Sequence, residues 1–324
     1  MSDKLLDAID KKRNPCIVGL DSVIERIPRN LIKGDSITDT VNAYLEFNCG
    51  IIDAVADLVP GVKPQIAFYE KYKSEGVKAF EKTVDYAKSK GLIVIEDGKR
   101  NDLSNTAQAY ADGHLGEVST LFSSFPSFDV DLLTVTPYLG SDGITPFVDV
   151  CKEHEKGIFI LVKTSNPSSA EFQDRIVRLK DSEMQEFKDL GVSIQGNETE
   201  MYNLVALTVN KYAQQTKGSR GYSPIGPVVG ATYPEQAELL RKIMPDSIFL
   251  VPGYGNQGGL AKDVMNCFNP DGYGAVINNA RGIIYAYEGT DMVYAEAART
   301  ATKDMIEDIC SAMKTAGKYP LNWR

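Results

Sequence analysis

Leu92-Ile93-Val94-Ile95-Glu96-Asp97 runs straight into Gly98-Lys99-Arg100-Asn101-Asp102, and the junction of these two stretches decides the fold. The first stretch is short, β-branched and almost wholly apolar, which suits a strand covered on both faces. The second sets Lys99 two residues after Asp97, and Asp102 three residues after Lys99. Charges are costly at the end of a buried strand, so such a cluster marks either a site or an ion network that closes the sheet.

Similar runs recur on both sides. Candidate strands fall at 16–20, 62–68, 92–97, 132–136, 158–162, 226–230, 248–251 and 275–278, and helical patterns separate them. Before the second strand, Val41, Tyr44, Leu45, Ile51, Ile52, Val55 and Leu58 recur at helical spacing, with Ser36 and Thr38 as candidate caps and Pro60-Gly61 as the stop. Val77, Phe80, Val84 and Ala87 form the next stripe, closed by Gly91; Pro234 opens a later helix with Leu239, Leu240 and Ile243 on its apolar face. Strands alternating with helices predict an α/β chain, a single (β/α)8 TIM barrel over residues 1–324. One connection is long. Segment 166–222 between strands five and six reads as an extended βα loop, polar and irregular over 166–200, with a barrel helix restored by Met201, Leu204, Val205, Val209 and Tyr212.

Composition narrows the partners. The chain has 324 residues, is 43% hydrophobic and carries a net charge of −9, which argues against non-specific nucleic-acid binding but permits an anionic small ligand held by local cations. No apolar run reaches membrane-spanning length, and the start Met1-Ser2-Asp3-Lys4 lacks the apolar run of a secretory signal. Five scattered cysteines without a Cys-x-x-Cys pair read as reduced thiols, so a cytoplasmic setting and no metal site are expected.

In a barrel, chemistry collects at the carboxyl ends of the strands. Strand alternation points Asp97 and Lys99 to one side, Lys63 stands in the second strand where a valine would be ordinary, and the first strand ends at Asp21. The last two strands end in Pro252-Gly253-Tyr254-Gly255-Asn256-Gln257-Gly258-Gly259 and Asn278-Asn279-Ala280-Arg281-Gly282. Glycine-rich turns bring backbone N–H groups close to an anion, Arg281 adds a charged donor and Gln257 an amide, which together predict a phosphate site. The fifth strand ends Lys163-Thr164-Ser165-Asn166-Pro167; this suits a polar ring, but it is equally ordinary turn chemistry. His114 and His154, lacking acids at ligand spacing, read as core or surface residues.

Asp97-x-Lys99-x-x-Asp102, followed by Thr106-Ala107, resembles the signature of the orotidine 5′-phosphate decarboxylase group. The variant Asp-Gly-Lys-Arg-Asn-Asp-Leu looks like its longer subgroup, found in many bacteria and some protozoa. The likeness runs over nearly the whole chain, through Gly-Leu-Asp21, Val-Lys63-Pro-Gln, Lys-Thr-Ser165-Asn-Pro, Val-Val-Gly-Ala-Thr232, Gly-Tyr-Gly-Asn-Gln257-Gly-Gly and Asn-Ala-Arg281-Gly-Ile. It is least informative over 166–222.

The resemblance implies a cofactor-free decarboxylase that turns orotidine 5′-monophosphate into uridine 5′-monophosphate in pyrimidine biosynthesis. Lys99 would protonate the ring carbon that loses carboxylate, with Asp97 and Lys63 holding Lys99 and contacting the ribose. Asp21 would bind a ribose hydroxyl, Ser165 the pyrimidine, and Gln257 and Arg281 the phosphate. Asp102 and Thr106 would enter the neighbouring subunit's site, making the functional unit a homodimer. Two alternatives stay open. One is a magnesium-dependent sugar-phosphate decarboxylase or aldolase sharing the barrel and the Asp/Lys cluster; the other is a nucleotide-binding barrel without turnover.

Overall fold

The computed structural model describes residues 1–255 and 258–323. Eight parallel strands form a closed ring: β1 Cys16–Leu20, β2 Gly61–Pro64, β3 Ile93–Arg100, β4 Leu132–Val135, β5 Gly157–Lys163, β6 Ile225–Val229, β7 Phe249–Pro252 and β8 Ala275–Asn279. Consecutive strands are neighbours, and β8 closes on β1 with Cys16 opposite Ile277. All residues of β1, β2, β4 and β6 are buried, as expected for strands lined inside by one another and outside by helices.

Helix α1, Ser2–Lys12, buries Leu5, Leu6 and Ile9, while Lys4 pairs with Asp131 ahead of β4 and Asp3 accepts from Ser219 N ahead of β6. It therefore covers the amino-terminal end of the barrel and leaves the opposite mouth open. Helix α2, Ile37–Val55, starts on a capping box in which Ser36 Oγ accepts from Asp39 N and the Asp39 carboxylate accepts from Ser36 N. The outer layer continues through α3 Lys73–Ser89, α4 Ser104–His114, α5 Ser141–Glu153, α6 Asp181–Asp189, α7 Met201–Gln214, α8 Pro234–Ile243 and α9 Tyr294–Thr315. No helix among the described residues is long and apolar enough to cross a membrane.

The structure corrects the sequence reading at four places. β2 stops at Pro64, not at 68: proline cannot donate the next ladder bond, and the chain turns into the helical turn Ala67–Glu70 after one bridge from Gln65 to Asp97. Gly61 starts β2 rather than stopping α2, which already ends at Val55. β3 does not end at 97. It continues to Arg100 through a bulge, since Glu96 lies opposite Leu133 but Arg100 opposite Val135. Three residues face Thr134 alone, with Lys99 at φ 45°.

The fourth correction concerns 166–200, which is built rather than irregular. It holds the 3-10 turn Pro167–Glu171, an antiparallel pair of Ile176–Arg178 with Glu198–Glu200, and α6, whose Phe187 is fully buried. The segment is tied back to β5 by the buried Lys163, whose Nζ lies 2.5 Å from Asp174 Oδ1 and over the Tyr233 ring. A projecting pair, Glu117–Ser119 with Ser124–Pro126, follows α4; every residue from 117 to 126 is exposed, Leu121 and Phe122 most of all.

Candidate active site

The open mouth holds a cavity of about 500 Å³ lined by Asp21, Lys63, Asp97, Lys99, Ser165 and Arg281, among others. Six of the nine residues singled out from sequence thus meet at one place, from the ends of β1, β2, β3, β5 and β8. Gln257 lies outside the described residues. Asp102 and Thr106 do not line the cavity of their own chain: Asp102 Oδ1 accepts from Leu103 N at 2.8 Å, and Thr106 is exposed on the first turn of α4.

The charges form an alternating series. Lys63 Nζ donates to Asp97 Oδ2 at 2.8 Å and lies 3.7 Å from Asp21 Oδ1, while Lys99 Nζ donates to Asp97 Oδ1 at 2.5 Å. Burial alone would push the Asp97 carboxyl up, but the Lys63 and Lys99 ammonium groups outweigh it and hold it well below the usual carboxylate range. Lys63 is the mirror case. Burial disfavours its charge, yet Asp21 and Asp97 overcome that and raise it above an ordinary lysine. Asp97 therefore stays a carboxylate and Lys63 an ammonium throughout the neutral range.

Thr134 fixes the geometry. Its hydroxyl donates to Asp97 Oδ1 at 3.0 Å and accepts from Lys99 N at 2.9 Å, so one side chain on β4 holds both the carboxylate and the backbone of the bulge. The expected pairing of Asp97 with Lys99 is present, but a bulge produces it and not regular alternation. Lys99 is half-exposed at 47%, against 4% for Lys63, which leaves its ammonium group the accessible cation of the pair.

At the far side of the mouth, Gly253 and Gly255 after β7 adopt φ of 98° and 75°, conformations open to glycine, and Arg281 follows β8 at the exposed rim. Among the described residues, buried Asp21 Oδ1 and Asn278 Oδ1 find no hydrogen-bond donor, which marks the cavity as built for a polar ligand. Ser165 can stand at the rim because Gly230 lies behind it: a Cβ there would come within 2.9 Å of Ser165 N.

Sequence reasoning missed several residues. Gln173 lines the cavity from inside segment 166–200, which has no periodicity in sequence, its Oε1 accepting from Thr164 N and its Nε2 donating to Thr164 Oγ1. Lys163 carries the same signal in the sequence as Lys63, a cation closing an apolar strand. Thr134 and Asn278 carried no sequence signal, since a hydroxyl and an amide near strand ends are ordinary. Among the described residues, no three His, Cys, Asp or Glu side chains converge to hold a metal.

The family model described as "Orotidine 5′-phosphate decarboxylase / HUMPS family" matches residues 17–294. An orotidine 5′-phosphate decarboxylase of Rhodopirellula baltica is 43% identical over 304 residues, covering 90% of this chain and 93% of its own. That of Caldicellulosiruptor bescii is 40% identical over 319 residues, covering 96% and 98%. Among solved structures, the OMP decarboxylase of Leishmania donovani superposes with a TM-score of 0.69 at 26% identity, covering 96% of this chain and 97% of its own.

Proposed function

The chain belongs to the orotidine 5′-phosphate decarboxylase family, and from that premise we propose a division of labour among the residues of its cavity. The reaction is the conversion of orotidine 5′-monophosphate to uridine 5′-monophosphate and carbon dioxide, a carboxy-lyase step of pyrimidine biosynthesis. The ring-carbon–carboxylate bond breaks, carbon dioxide leaves, and the electron pair stays on the ring carbon. Lys99 Nζ stabilises that pair and then delivers its proton to it; the neutral amine regains a proton from water.

The observation that carries this reading is the Lys63–Asp97–Lys99 series, which presents a charged, half-exposed ammonium to the cavity on a pre-set scaffold. Asp97 orients Lys99, and Lys63 neutralises Asp97 while meeting the ribose together with Asp21. Ser165 meets the pyrimidine, and Arg281 and Gln257 the phosphate. Phosphate binding far from the reacting carbon then contributes to positioning. No cofactor takes part in this scheme.

The proposal includes a cytoplasmic homodimer in which Asp102 and Thr106 serve the partner's cavity. Two features support the dimer: both residues stand away from their own cavity, and exposed Leu103, Tyr138 and Leu139 give the loops beside Asp102 an apolar face. Free thiols at all five cysteines support the cytoplasm. Residues 1–324 act as one barrel, with 166–222 as an insertion inside it.

The test is the loss of orotidine 5′-monophosphate absorbance with excess chelator, wild type beside Lys99→Ala. Turnover that survives chelator and collapses in the variant supports the scheme; turnover retained by Lys99→Ala overturns the proton donor. Mixing Lys99→Ala with Asp102→Ala chains tests sharing: recovery of part of the activity supports a site built across two chains, and none counts against it.

A further inference from the structure

The bulge that aims Lys99 has two feet, and one imidazole touches both. Glu96 is the last residue of β3 in regular register before the bulge and Arg100 the first after it. His114, at the end of α4, lies with Nδ1 2.8 Å from Glu96 Oε2, and its Nε2 accepts from Arg100 Nε at 3.1 Å. A guanidinium has only donors, so Nε2 must be the acceptor, and the proton on Nδ1 is the one that bonds Glu96. Both acid and histidine are buried, at 0% and 5% exposure, so the pair is sheltered from competing water.

The surroundings are built to hold this ring. His114 packs on Phe128 at 5.2 Å and stacks on Tyr110 at 6.3 Å, and Arg100 is held from its other side by Glu70 Oε1 at 2.5 Å. Glu96 presses on the bulge itself. A Cβ added to Gly98 would come within 2.7 Å of Glu96 Oε1, a buried atom that accepts no hydrogen bond among the described residues. Between the two feet, Lys99 sits at a positive φ that a side chain rarely adopts, a conformation that persists only where its surroundings over-determine it.

We propose that His114 is a positioning residue for the decarboxylation: it clamps Glu96 and Arg100, the two feet of the bulge, and so sets the direction in which Lys99 presents its ammonium group. The clamp also fixes the far end of α4, the helix whose first turn carries Thr106, so the aim of Lys99 and the placement of the residues ascribed to the partner's site rest on one ring. This inference depends on Lys99 being the proton donor. The clamp touches neither the ribose nor the phosphate end of the cavity, so its loss acts on the chemical step and not on binding.

The experiment compares kcat and KM for orotidine 5′-monophosphate, and the Kd for uridine 5′-monophosphate, in four full-length variants: Lys99→Ala, His114→Gln, His114→Asn and Arg100→Met. Glutamine retains an acceptor near the place of Nε2, and asparagine a donor near the place of Nδ1, so each histidine variant keeps one foot. Each clamp variant is expected to lower kcat about ten- to a hundredfold through a misplaced Lys99, with KM and product Kd within about threefold of wild type. Arg100 is partly exposed, so Arg100→Met frees one foot without opening the core and gives a reading even if the histidine variants fail to fold. A kcat within about twofold of wild type in Arg100→Met or in a folded histidine variant, or equal losses in kcat and product affinity, overturns the clamp. Activity retained by Lys99→Ala would overturn its premise instead, which separates the two failures.

Discussion

Lys63 is buried between two carboxylates, with Asp97 at 2.8 Å and Asp21 at 3.7 Å, and three charges survive there only because each satisfies another. Removing the cation leaves two acids facing each other without compensation. Lys63→Met should therefore cost about 3–5 kcal/mol of stability by urea unfolding, beyond its loss of turnover. The same series sets a pH window. Asp97 is lowered in the fold, so its contribution is complete above the ordinary aspartate value of about 3.9 and is lost as pH falls below it toward the folded value. Lys63 is raised, so its contribution is complete below about 10.4 and is lost only as pH rises through its folded value. The difference in unfolding free energy between wild type and Asp97→Asn should accordingly be flat from pH 5 to 9 and shrink below about pH 4. A difference that grew on acidification would contradict this assignment. Lys63, Asp97 and Lys99 were legible in the sequence because a charge inside an apolar strand is expensive and therefore stands out. Thr134 was not, because nothing about a threonine announces that its hydroxyl bridges a carboxylate and a backbone amide on the next strand.

Strands and loops carried less of their geometry in the sequence than their existence. All eight barrel strands overlap the apolar runs that predicted them, since burial on both faces leaves a plain signature, although β2 stops short of its run and β3 continues past its own. The bulge in β3 left none: it depends on Thr134 and His114, which are 35 and 14 residues from the groups they bond. The pair of Ile176–Arg178 with Glu198–Glu200 was equally silent, because strands of only three residues are too short to show a period. Lys163 shows how such a segment is fastened, reaching Asp174 across a stretch that reads as loop. Close backbone approach at the mouth gives a test at this scale. In Gly230→Ala the new Cβ would meet Ser165 N and Cα at 2.9 and 3.0 Å, and backbone cannot yield as a flexible side chain does. The variant should lose about 1–3 kcal/mol in thermal unfolding and raise KM by displacing Ser165. Unchanged KM would mean that Ser165 does not meet the substrate.

At the scale of the molecule, the apolar face beside Asp102 bears on assembly. Gly143 at the start of α5 packs against Asp102 O and Leu139, so Leu103, Leu139 and Tyr138 belong to one surface. Leu103→Glu with Tyr138→Glu should shift the chain toward monomer in sedimentation velocity and make specific activity fall on dilution; a fully active monomer would remove the case for shared sites. No single-chain pattern could have disclosed this face, because exposed apolar residues scattered in sequence gather only once the loops are folded. The ring of strands has a further consequence, for the chain as it is made. β1 bonds β2 on one side, but its other partner, β8, is synthesised roughly 260 residues later, a wait on the order of ten seconds or more at ribosomal speed. Throughout that interval an all-apolar strand has one edge of unpaired amides, the condition under which nascent chains pair with each other instead of with themselves. Translation arrested before Ala275 should leave a product that aggregates, and the last strand acts for this protein as the moment of commitment.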